Sequence, residues 1–532
     1  MRRSSLPLLL ALAGAAPAAL GGVTENLVTS PVAMSLGNAV TADPPGIESI
    51  HFNPAGLARL NGINHIDTLF GASIRNRNTF TSAPDIDIGG FKDDPINGKS
   101  SGPVRQAMAL PFIGIPKARL PAVVVPGLGI AWNPKDSRFT FGTMVYLSQA
   151  MSVDRTEDPD DPARFDGRLV QLQRLVYLSP AMGYKISDTL RVGVSVPIAY
   201  ANFAINTDFR APNKLLGTVG SLQRGVCPEG NPNLIDTLTF GLCGGGEEGM
   251  VNPFKKAANI DFDMHSSFDP TINIGILWEP KKWFALGAVF QGGTKTTYSG
   301  QYAFQADPML RQFVRGLNSS LLGPIVGGIT ALPTDIPELQ VGNMTAQIPF
   351  PWRVQIGTKL MLTDYLQLNA DVSYADWAQW NELTFKFDQS IKLLEMARLF
   401  GHPNSNQATF PMGFKSIVNY SFGAQLNVTK KLSLRAGYEP RKSSIPGDKM
   451  SLLAPLPDTV LRSVGLRYKF DNGSELNLAA SYMKGSYNIP ARSNCNLNCD
   501  GFFNIIYNPY AATSIAGDLK VRYAGLSWTK PY

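Results

Sequence analysis

The chain has 532 residues, of which 44% are hydrophobic, 10% aromatic and 17% charged, and its net charge is +7. Beyond the first few dozen residues it has no run of about 20 apolar residues, which argues against helical membrane spans. Its lysines and arginines are dispersed rather than grouped with stacking aromatics, so we expect no nucleic acid partner.

The N-terminus has the pattern of a secretory leader. Arg2 and Arg3 supply the charge, residues 6–13 the apolar core, and residues 16–18 a small-residue cleavage site. We therefore predict a signal peptide over residues 1–18. The adjacent arginines stand at the very start without the usual downstream twin-arginine motif, which favours ordinary secretion.

Residues 19–62 are loosely patterned and contain two breaker sequences. These are Asp-Pro-Pro-Gly at 43–46 and Asn-Pro-Ala-Gly at 53–56. Such sequences forbid a long regular element. We expect this segment to precede the first strand without being one.

Fourteen later segments alternate apolar and polar side chains, which predicts β-strands and an all-β fold. The clearest example is the hairpin at 417–439, which turns at Thr429 and Lys430. The fourteen segments are residues 64–75, 122–132, 138–150, 172–186, 189–205, 260–278, 283–304, 346–362, 365–387, 414–428, 431–441, 460–470, 474–489 and 513–530.

From the second strand onward, the connections alternate between very short and long. The short ones are residues 133–137, 187–188, 279–282, 363–364, 429–430 and 471–473. Short turns at one end, long loops at the other and an even strand number are typical of a bacterial outer-membrane barrel. We predict a transmembrane antiparallel β-barrel over residues 63–532, with the short turns facing the periplasm and the apolar face of each strand facing lipid.

Several short motifs resemble the FadL/TodX family of outer-membrane long-chain fatty acid and hydrocarbon transporters. They are Gly-Asn-Ala-Val at 37–40 with Asp43, Asn-Pro-Ala at 53–55, Trp-Ala-Gln-Trp at 377–380, Leu-Arg-Ala-Gly-Tyr at 434–438 and Ser-Ile-Pro at 444–446. The resemblance implies a monomeric barrel with residues 19–62 folded into the lumen as a hatch. It also implies ligand capture by the outer loops and lateral release at a kink in the third strand, where Gly142 is the expected weak point.

A compact Asn-Pro-Ala-Gly turn is often only structural. The buried hydrogen-bonding groups of a segment inside a pore, however, must be satisfied by polar groups of the lumen. We therefore expect this turn to lie on an exit route. We therefore expect Phe52, Asn53, Pro54 and Ala55 to take part in gating.

The long loops carry leucines and phenylalanines at spacings near three and four, as in amphipathic helices. The set expected to contact ligand is Leu215, Leu216, Phe313, Leu317, Leu321 and Leu322. These residues either pack over the barrel mouth or form an exposed apolar groove for a hydrophobic ligand, and both roles are compatible.

Lumen-facing arginines offer a second type of contact. Arg435 and Arg467, with Arg191 and Arg353, could receive a fatty acid carboxylate through charge-assisted bonds. The alternative is pairing with acids of the lumen such as Asp371 and Glu439.

The cysteines fall in two long loops, Cys227 and Cys243 in one, Cys495 and Cys499 in the other. Three pairings are possible, and an oxidising compartment favours a bond within each loop. The four histidines have no metal-binding spacing. No serine and orienting residue share the face of His65, so we expect neither a catalytic site nor a cofactor.

The leading hypothesis is passive uptake of hydrophobic molecules such as long-chain fatty acids by a monomer embedded in outer-membrane lipid. A general hydrophilic porin is the alternative, but it would lack the segment before the barrel and carry a polar constriction loop. The sequence leaves open whether the ligand is a fatty acid or an aromatic hydrocarbon.

Overall fold

A computed structural model describes most of the chain after residue 27. The described residues are 28–111, 114–120, 122–227, 234–238, 241–322, 325, 333–396, 404–453, 455–501 and 508–532. The predicted leader and the start of the segment 19–62 lie outside them.

The described residues form 23 strands. Their bounds are β1 (Gly62–Ser82), β2 (Gln106–Leu110), β3 (Ile115–Leu120), β4 (Val123–Asn133), β5 (Phe139–Asp154), β6 (Leu169–Leu178), β7 (Ala181–Lys185), β8 (Leu190–Ser195), β9 (Ile198–Phe209), β10 (Ala258–Pro270), β11 (Asn273–Lys281), β12 (Phe284–Gln291), β13 (Thr294–Ala306), β14 (Leu339–Phe350), β15 (Arg353–Met361), β16 (Leu366–Ala375), β17 (Glu382–Phe387), β18 (Gln407–Pro411), β19 (Ile417–Asn427), β20 (Leu432–Arg441), β21 (Thr459–Lys469), β22 (Glu475–Ile489) and β23 (Thr513–Pro531).

These strands build a closed antiparallel barrel of fourteen crossings, which confirms the predicted fold class. Seven crossings are single strands: β1, β4, β5 and β20 to β23. The other seven are pairs of consecutive strands separated by a short break, from β6 with β7 to β18 with β19. The barrel closes because β1 pairs with both β4 and β23. Strands β2 and β3 form a separate hairpin in the first long loop.

The hairpin of β19 and β20 shows why the alternation produces a barrel wall. Phe422 pairs with Tyr438 and Leu426 with Leu434, and all four side chains are exposed. On the opposite face, Arg435 is buried. Apolar side chains outside and polar ones inside suit a wall between lipid and lumen.

In the half of the barrel nearer the long loops, this arrangement inverts. On β16, Val372 is exposed on the outer face, but after the break at 376–381 the inward residues of β17 are Leu383 and Phe385. The neighbouring Lys386 is exposed on the outer face. Even-numbered residues face outward on both β16 and β17, so the inversion arises because the apolar side chains move from even to odd positions. This upper half of the barrel is therefore apolar inside and polar outside.

The helices are short and lie before the barrel or in its long loops. They are α1 (Pro31–Ser35), α2 (Ser49–Phe52), α3 (Arg164–Gly167), α4 (Lys214–Val226), α5 (Leu234–Leu238), α6 (Pro308–Asn318) and α7 (Lys392–Met396), with 3-10 turns at Pro54–Arg59, Glu247–Gly249, Trp377–Gln379 and Gly447–Lys449. Within the described part of the chain, no helix is both long and apolar enough to cross a membrane.

Each long loop that contains two cysteines is joined internally. Cys227, at the end of α4, is bonded to Cys243, and Cys495 is bonded to Cys499. The first bond fixes the end of α4 to the chain that follows it.

Residues 28–61, here called the N-terminal segment, cross the barrel interior. Glycines of five different strands face it so closely that a Cβ atom would lie 2.0–2.5 Å from one of its atoms. The pairs are Gly193 with Pro54, Gly275 with Asn53, Gly287 with Thr41, Gly437 with Gly37 and Gly465 with Ser35. Since these glycines lie on β8, β11, β12, β20 and β21, the segment contacts the wall on several sides.

Candidate functional site

The Asn-Pro-Ala turn is held at the centre of the N-terminal segment. Asn53 is fully buried, and its Nδ2 donates to the carbonyl oxygens of Thr41 at 2.8 Å and Ile276 at 3.1 Å. Its Oδ1 accepts from the Ala55 amide at 3.2 Å, which caps the 3-10 turn that begins at Pro54. One amide side chain thus ties the turn to the rest of the segment and to β11.

An ion network fixes the end of the segment nearest the short turns. Arg59 contacts Asp43 at 2.9 Å and Glu279 at 2.6 Å, and Lys359 contacts Asp43 at 3.1 Å. Burial alone would raise the pKa of Asp43, but Arg59 and Lys359 outweigh it and lower the pKa to about 2. Asp43 is therefore charged at neutral pH and holds two cations.

Glu48 is a buried acid in the same segment. Its side chain is inaccessible to solvent, and its Oε1 has no hydrogen-bond partner among the described residues. Burial raises the pKa of Glu48 to about 8, although Ser30 and Arg435 oppose the shift. At neutral pH the carboxyl is mostly protonated, which removes the cost of burying a charge.

An apolar cavity of 520 Å³ lies inside the long-loop half of the barrel, with residues of the long loops in its wall. Its wall combines strand residues with loop helices. Among the lining side chains are Met151, Leu172, Phe203, Phe262, Trp377, Trp380, Leu383, Phe385, Phe387, Leu216, Met309, Leu310, Phe313, Leu393, Leu394 and Met396. Its volume suits a small-molecule ligand, since such pockets measure roughly 300–1,000 Å³.

The loop residues predicted to contact ligand divide into two groups. Leu216 and Phe313 line the cavity, and Leu317 packs beside them in the same cluster of loop residues. Leu321 and Leu322 are 69% and 41% exposed and do not reach the cavity, nor does the half-buried Leu215.

Sequence reasoning missed the strand residues that form most of the cavity wall. Phe262, Phe385 and Trp380 are buried inside the barrel. A signal was present in the sequence. The apolar residues occupy even positions before the break at 376–381 and odd positions after it, and Trp377–Gln379 forms a 3-10 turn within that break.

The charged groups at the cavity differ in how they are paired. Arg210 contacts Asp94 at 2.9 Å, and Arg164 contacts Asp208 at 3.3 Å. Lys255 and Lys449 also line the cavity, and neither has an ion-pair partner among the residues that the structure describes. Two lysines without an ion-pair partner among the described residues therefore border a mostly apolar space, which the acid Asp166 also lines.

A gap interrupts the wall between β4 and β5. Their ladder runs from the Trp132–Phe141 pair to the Leu128–Val145 pair and ends there. Beyond it, residues 123–127 of β4 pair only with β1, and residues 146–153 of β5 pair only with β6, while Asp154 also bridges to Arg105 beside the β2–β3 hairpin. The register of β5 against β6 also shifts between Leu147 and Gln149. The long-loop half of the third crossing is thus separated from the second.

The hairpin of β2 and β3 spans this gap. Gln106 donates to the Ala72 carbonyl on β1 at 3.2 Å, and the Ala109 amide donates to Gln173 on β6 at 2.9 Å. Side chains from both edges, from the hairpin and from the N-terminal segment meet in one apolar cluster. It contains Val28, Met34, Phe70, Met108, Val123, Val125, Leu147 and Leu175.

Gly142 lies on the regular side of the gap, paired with Ala131 and Ala181. A Cβ at Gly142 would lie 3.4 Å from the Ile50 side chain of the N-terminal segment. The irregular part of the third crossing comes a few residues later, at 146–149. The role of Gly142 in gating stays a prediction.

The lumen arginines lie away from the cavity. Arg435 donates to Gln425 at 2.8 Å and to Asn477 at 2.9 Å, and Arg467 donates to Ser433 at 3.1 Å. Neither residue lines the cavity. Because Gly437 packs against Gly37, Arg435 lies between the N-terminal segment and the short turns. A ligand would reach these arginines only after passing the segment.

Comparison with known proteins gives consistent results. A family model described as "Outer membrane protein transport protein (OMPP1/FadL/TodX)" matches residues 9–514. A long-chain fatty acid transport protein of Escherichia coli O6:H1 is 22% identical over 455 residues, covering 83% of this chain and 87% of that protein.

Two solved structures share the fold. The crystal structure of a Pseudomonas aeruginosa FadL homologue has a TM-score of 0.64 at 17% identity, covering 97% of this chain and all of that one. The Ralstonia pickettii toluene transporter TbuX has a TM-score of 0.56 at 13% identity, covering 94% of this chain and 98% of that one.

Proposed function

This chain belongs to the OMPP1/FadL/TodX family of outer membrane transport proteins, and on that premise we propose that it takes up hydrophobic molecules passively across the bacterial outer membrane. The ligand binds in the apolar cavity, passes the N-terminal segment and leaves sideways through the gap between β4 and β5. The protein acts as a monomer, without a cofactor and without chemistry on its ligand.

The observation that carries this proposal is that the half of the barrel nearer the long loops is apolar inside and polar outside. Phe262, Phe385 and Trp380 face the interior, whereas Lys386 faces outward. An apolar interior surrounded by a polar outer wall lowers the free energy of a hydrophobic solute by roughly 25 cal/mol for each Å² of apolar surface removed from water. A general hydrophilic porin gains nothing from this arrangement.

The free cations favour a fatty acid over a neutral hydrocarbon. A carboxylate at the cavity edge would meet Lys255 or Lys449 while its chain lies against aromatic side chains. The E. coli relative is named for long-chain fatty acid transport, which is consistent with this assignment.

The polarity of the lumen between the N-terminal segment and the short turns favours a lateral route over one straight through the barrel. Below the segment the lumen is lined by groups such as Arg435, Gln425 and Asn477, all buried and hydrogen-bonded. An acyl chain entering there would disrupt these bonds and gain little apolar contact. The gap instead joins apolar residues of the segment, the wall and the hairpin.

Opening this route requires two movements. The N-terminal segment, with Phe52, Asn53, Pro54 and Ala55 at its centre, acts as a hatch that shifts away from β5. The β2–β3 hairpin must also move from the gap it spans.

Equilibrium binding of oleate and of toluene to the purified protein tests the function. We expect Phe385→Ala to weaken oleate binding at least fivefold and Lys449→Gln to weaken oleate but not toluene binding. Lys386→Gln is the matched control, since Lys386 follows Phe385 in sequence but faces outward. Unchanged oleate binding in Phe385→Ala would contradict the proposal.

A further inference from the structure

Six cationic side chains cluster on the outer wall, just above its apolar belt. They face outward because the residues alternating with them form a buried inner cluster that includes Leu461, Met483, Leu519 and Val521. The six are Arg75 and Arg77 on β1, Arg462 on β21, Lys484 on β22, and Lys520 and Arg522 on β23.

The strand register brings these cations into rows. Lys520 lies directly opposite both Arg75 and Lys484, which gives three like charges side by side. One row nearer the short turns, Arg522 lies opposite Tyr482, which in turn pairs with Arg462. Like charges in opposed positions destabilise a sheet.

The chain supplies little to balance this charge. Asp518, opposite Arg77, is the one acid among the described residues of these rows. None of the six cations forms an ion pair within the part of the chain that the structure describes. These outward cations are therefore available to an anionic group from outside the protein.

An apolar groove of 640 Å³ begins directly below the cations. Large side chains such as Leu69, Val464 and Leu526 form its rims, and small residues, including Gly71, Ala480 and Ala524, form its floor. Ala524 follows Arg522 by two positions along β23, which is about 6–7 Å. The groove thus adjoins the cationic rows, as the acyl chain of a membrane lipid adjoins its headgroup.

We propose that this surface is a binding site for a phosphorylated, multiply acylated lipid of the lipid A type in the leaflet on the long-loop side. Its phosphates bind the rows of Arg75, Lys520, Lys484 and Arg522, and an acyl chain lies in the groove. Arginine and lysine are the usual phosphate-binding side chains, and basic clusters beside an apolar surface recruit anionic lipids.

Two observations support this choice of lipid. Six cations exceed what one phosphate of a simple phospholipid neutralises, whereas lipid A carries two. Across the barrel, the corresponding rows carry scattered charges of both signs, including Lys386, Asp261 and Asp263, so the dense cluster of like charge is on one face. A second copy of this chain would bring like charges together at the same surface and is disfavoured.

Native mass spectrometry of the detergent-purified full chain, titrated with bis-phosphorylated lipid A, tests the proposal. We expect a 1:1 complex and at least tenfold weaker binding by the triple variant Arg75→Gln, Lys520→Gln, Arg522→Gln. The control is Lys295→Gln, an exposed outward lysine at the start of β13, which should bind as the unmodified protein does. Heat-modifiable gel mobility checks that each barrel is folded.

The groove is tested separately by Gly71→Leu. A Cβ at Gly71 would have nothing within 4 Å, so the new side chain fills the groove without a clash. We expect at least threefold weaker binding of lipid A. Equal binding by the folded triple variant, equal affinity for phosphatidylglycerol, or a dimer that forms without lipid would each overturn the proposal.

Discussion

The hydroxyl of Thr29 donates a hydrogen bond of 3.1 Å to the carbonyl oxygen of Leu147. Leu147 lies just beyond the last pair that β5 makes with β4. The N-terminal segment therefore satisfies a backbone acceptor at the edge of the gap in the wall, and its position is coupled to the proposed exit. This bond gives the first test of the hatch.

Replacing Thr29 by valine removes the hydroxyl and leaves the Leu147 carbonyl buried without this donor. An unsatisfied buried acceptor costs about 1–3 kcal/mol, so we expect faster hydrogen exchange in residues 28–36. Thr29→Ser keeps the hydroxyl and should exchange like the unmodified protein. Identical exchange in Thr29→Val would show that this bond does not hold the segment.

The buried acid in the segment predicts a pH dependence. The pKa of Glu48 is raised to about 8 by burial, so its contribution to docking is complete below its unfolded pKa of about 4.5 and is lost as pH rises through 8. We expect ion conductance in planar bilayers to increase between pH 7 and pH 9. Glu48→Gln should remove most of this increase, and an unchanged profile in that variant would assign the titration to another group.

The position of a residue on the outer wall predicts how strongly an arginine introduced there destabilises the barrel. Phe422 is 47% exposed on the lipid face of β19, so Phe422→Arg should destabilise the barrel by about 2–4 kcal/mol in bilayers. Tyr365 is 65% exposed beside a short turn, and Tyr365→Arg should cost about 0–1 kcal/mol. Urea titrations in bilayers measure both, and equal costs would mean that Phe422 does not face the bilayer interior.

Variants of Phe313 and Leu321 distinguish a ligand contact inside the cavity from one on the exposed loop surface. Phe313 lines the cavity and is buried, whereas Leu321 is 69% exposed. We expect Phe313→Ser to weaken oleate binding severalfold and Leu321→Ser to leave it within twofold, as measured by fluorescence titration. A larger effect at Leu321 would place the first ligand contact on the loop surface instead.

The barrel could be predicted from the sequence because its signals are local. Alternation sets the two faces of each strand, as in the hairpin around Thr429, and the loop lengths set the two ends of the barrel. The predicted disulfide partners were also close in sequence, and the structure joins Cys227 to Cys243.

The ligand path could not be predicted in the same way because it depends on contacts between distant residues. The cavity joins Phe262 to Phe385, which lie more than a hundred residues apart. The gap begins where the β4–β5 ladder ends at Leu128, two residues after Pro126, which has no backbone N–H to donate. That proline signals a weak point in a strand, but it does not show which neighbouring strand is lost. Lumen polarity suggested Arg435 as a ligand contact, but its hydrogen bonds place it against other wall residues.

The most direct test of the account is oleate uptake with the hairpin tethered across the gap. The Ala107 amide donates to the Ser152 hydroxyl oxygen at 2.5 Å, which places β2 beside β5, and a pair of cysteines at these two positions serves as the tether. Initial uptake is measured in cells that lack their own long-chain fatty acid transporter, with either single cysteine as the control. We predict at least tenfold slower uptake in the oxidised double variant and recovery on reduction. Uptake at the unmodified rate with the tether fully formed would contradict lateral release through this gap.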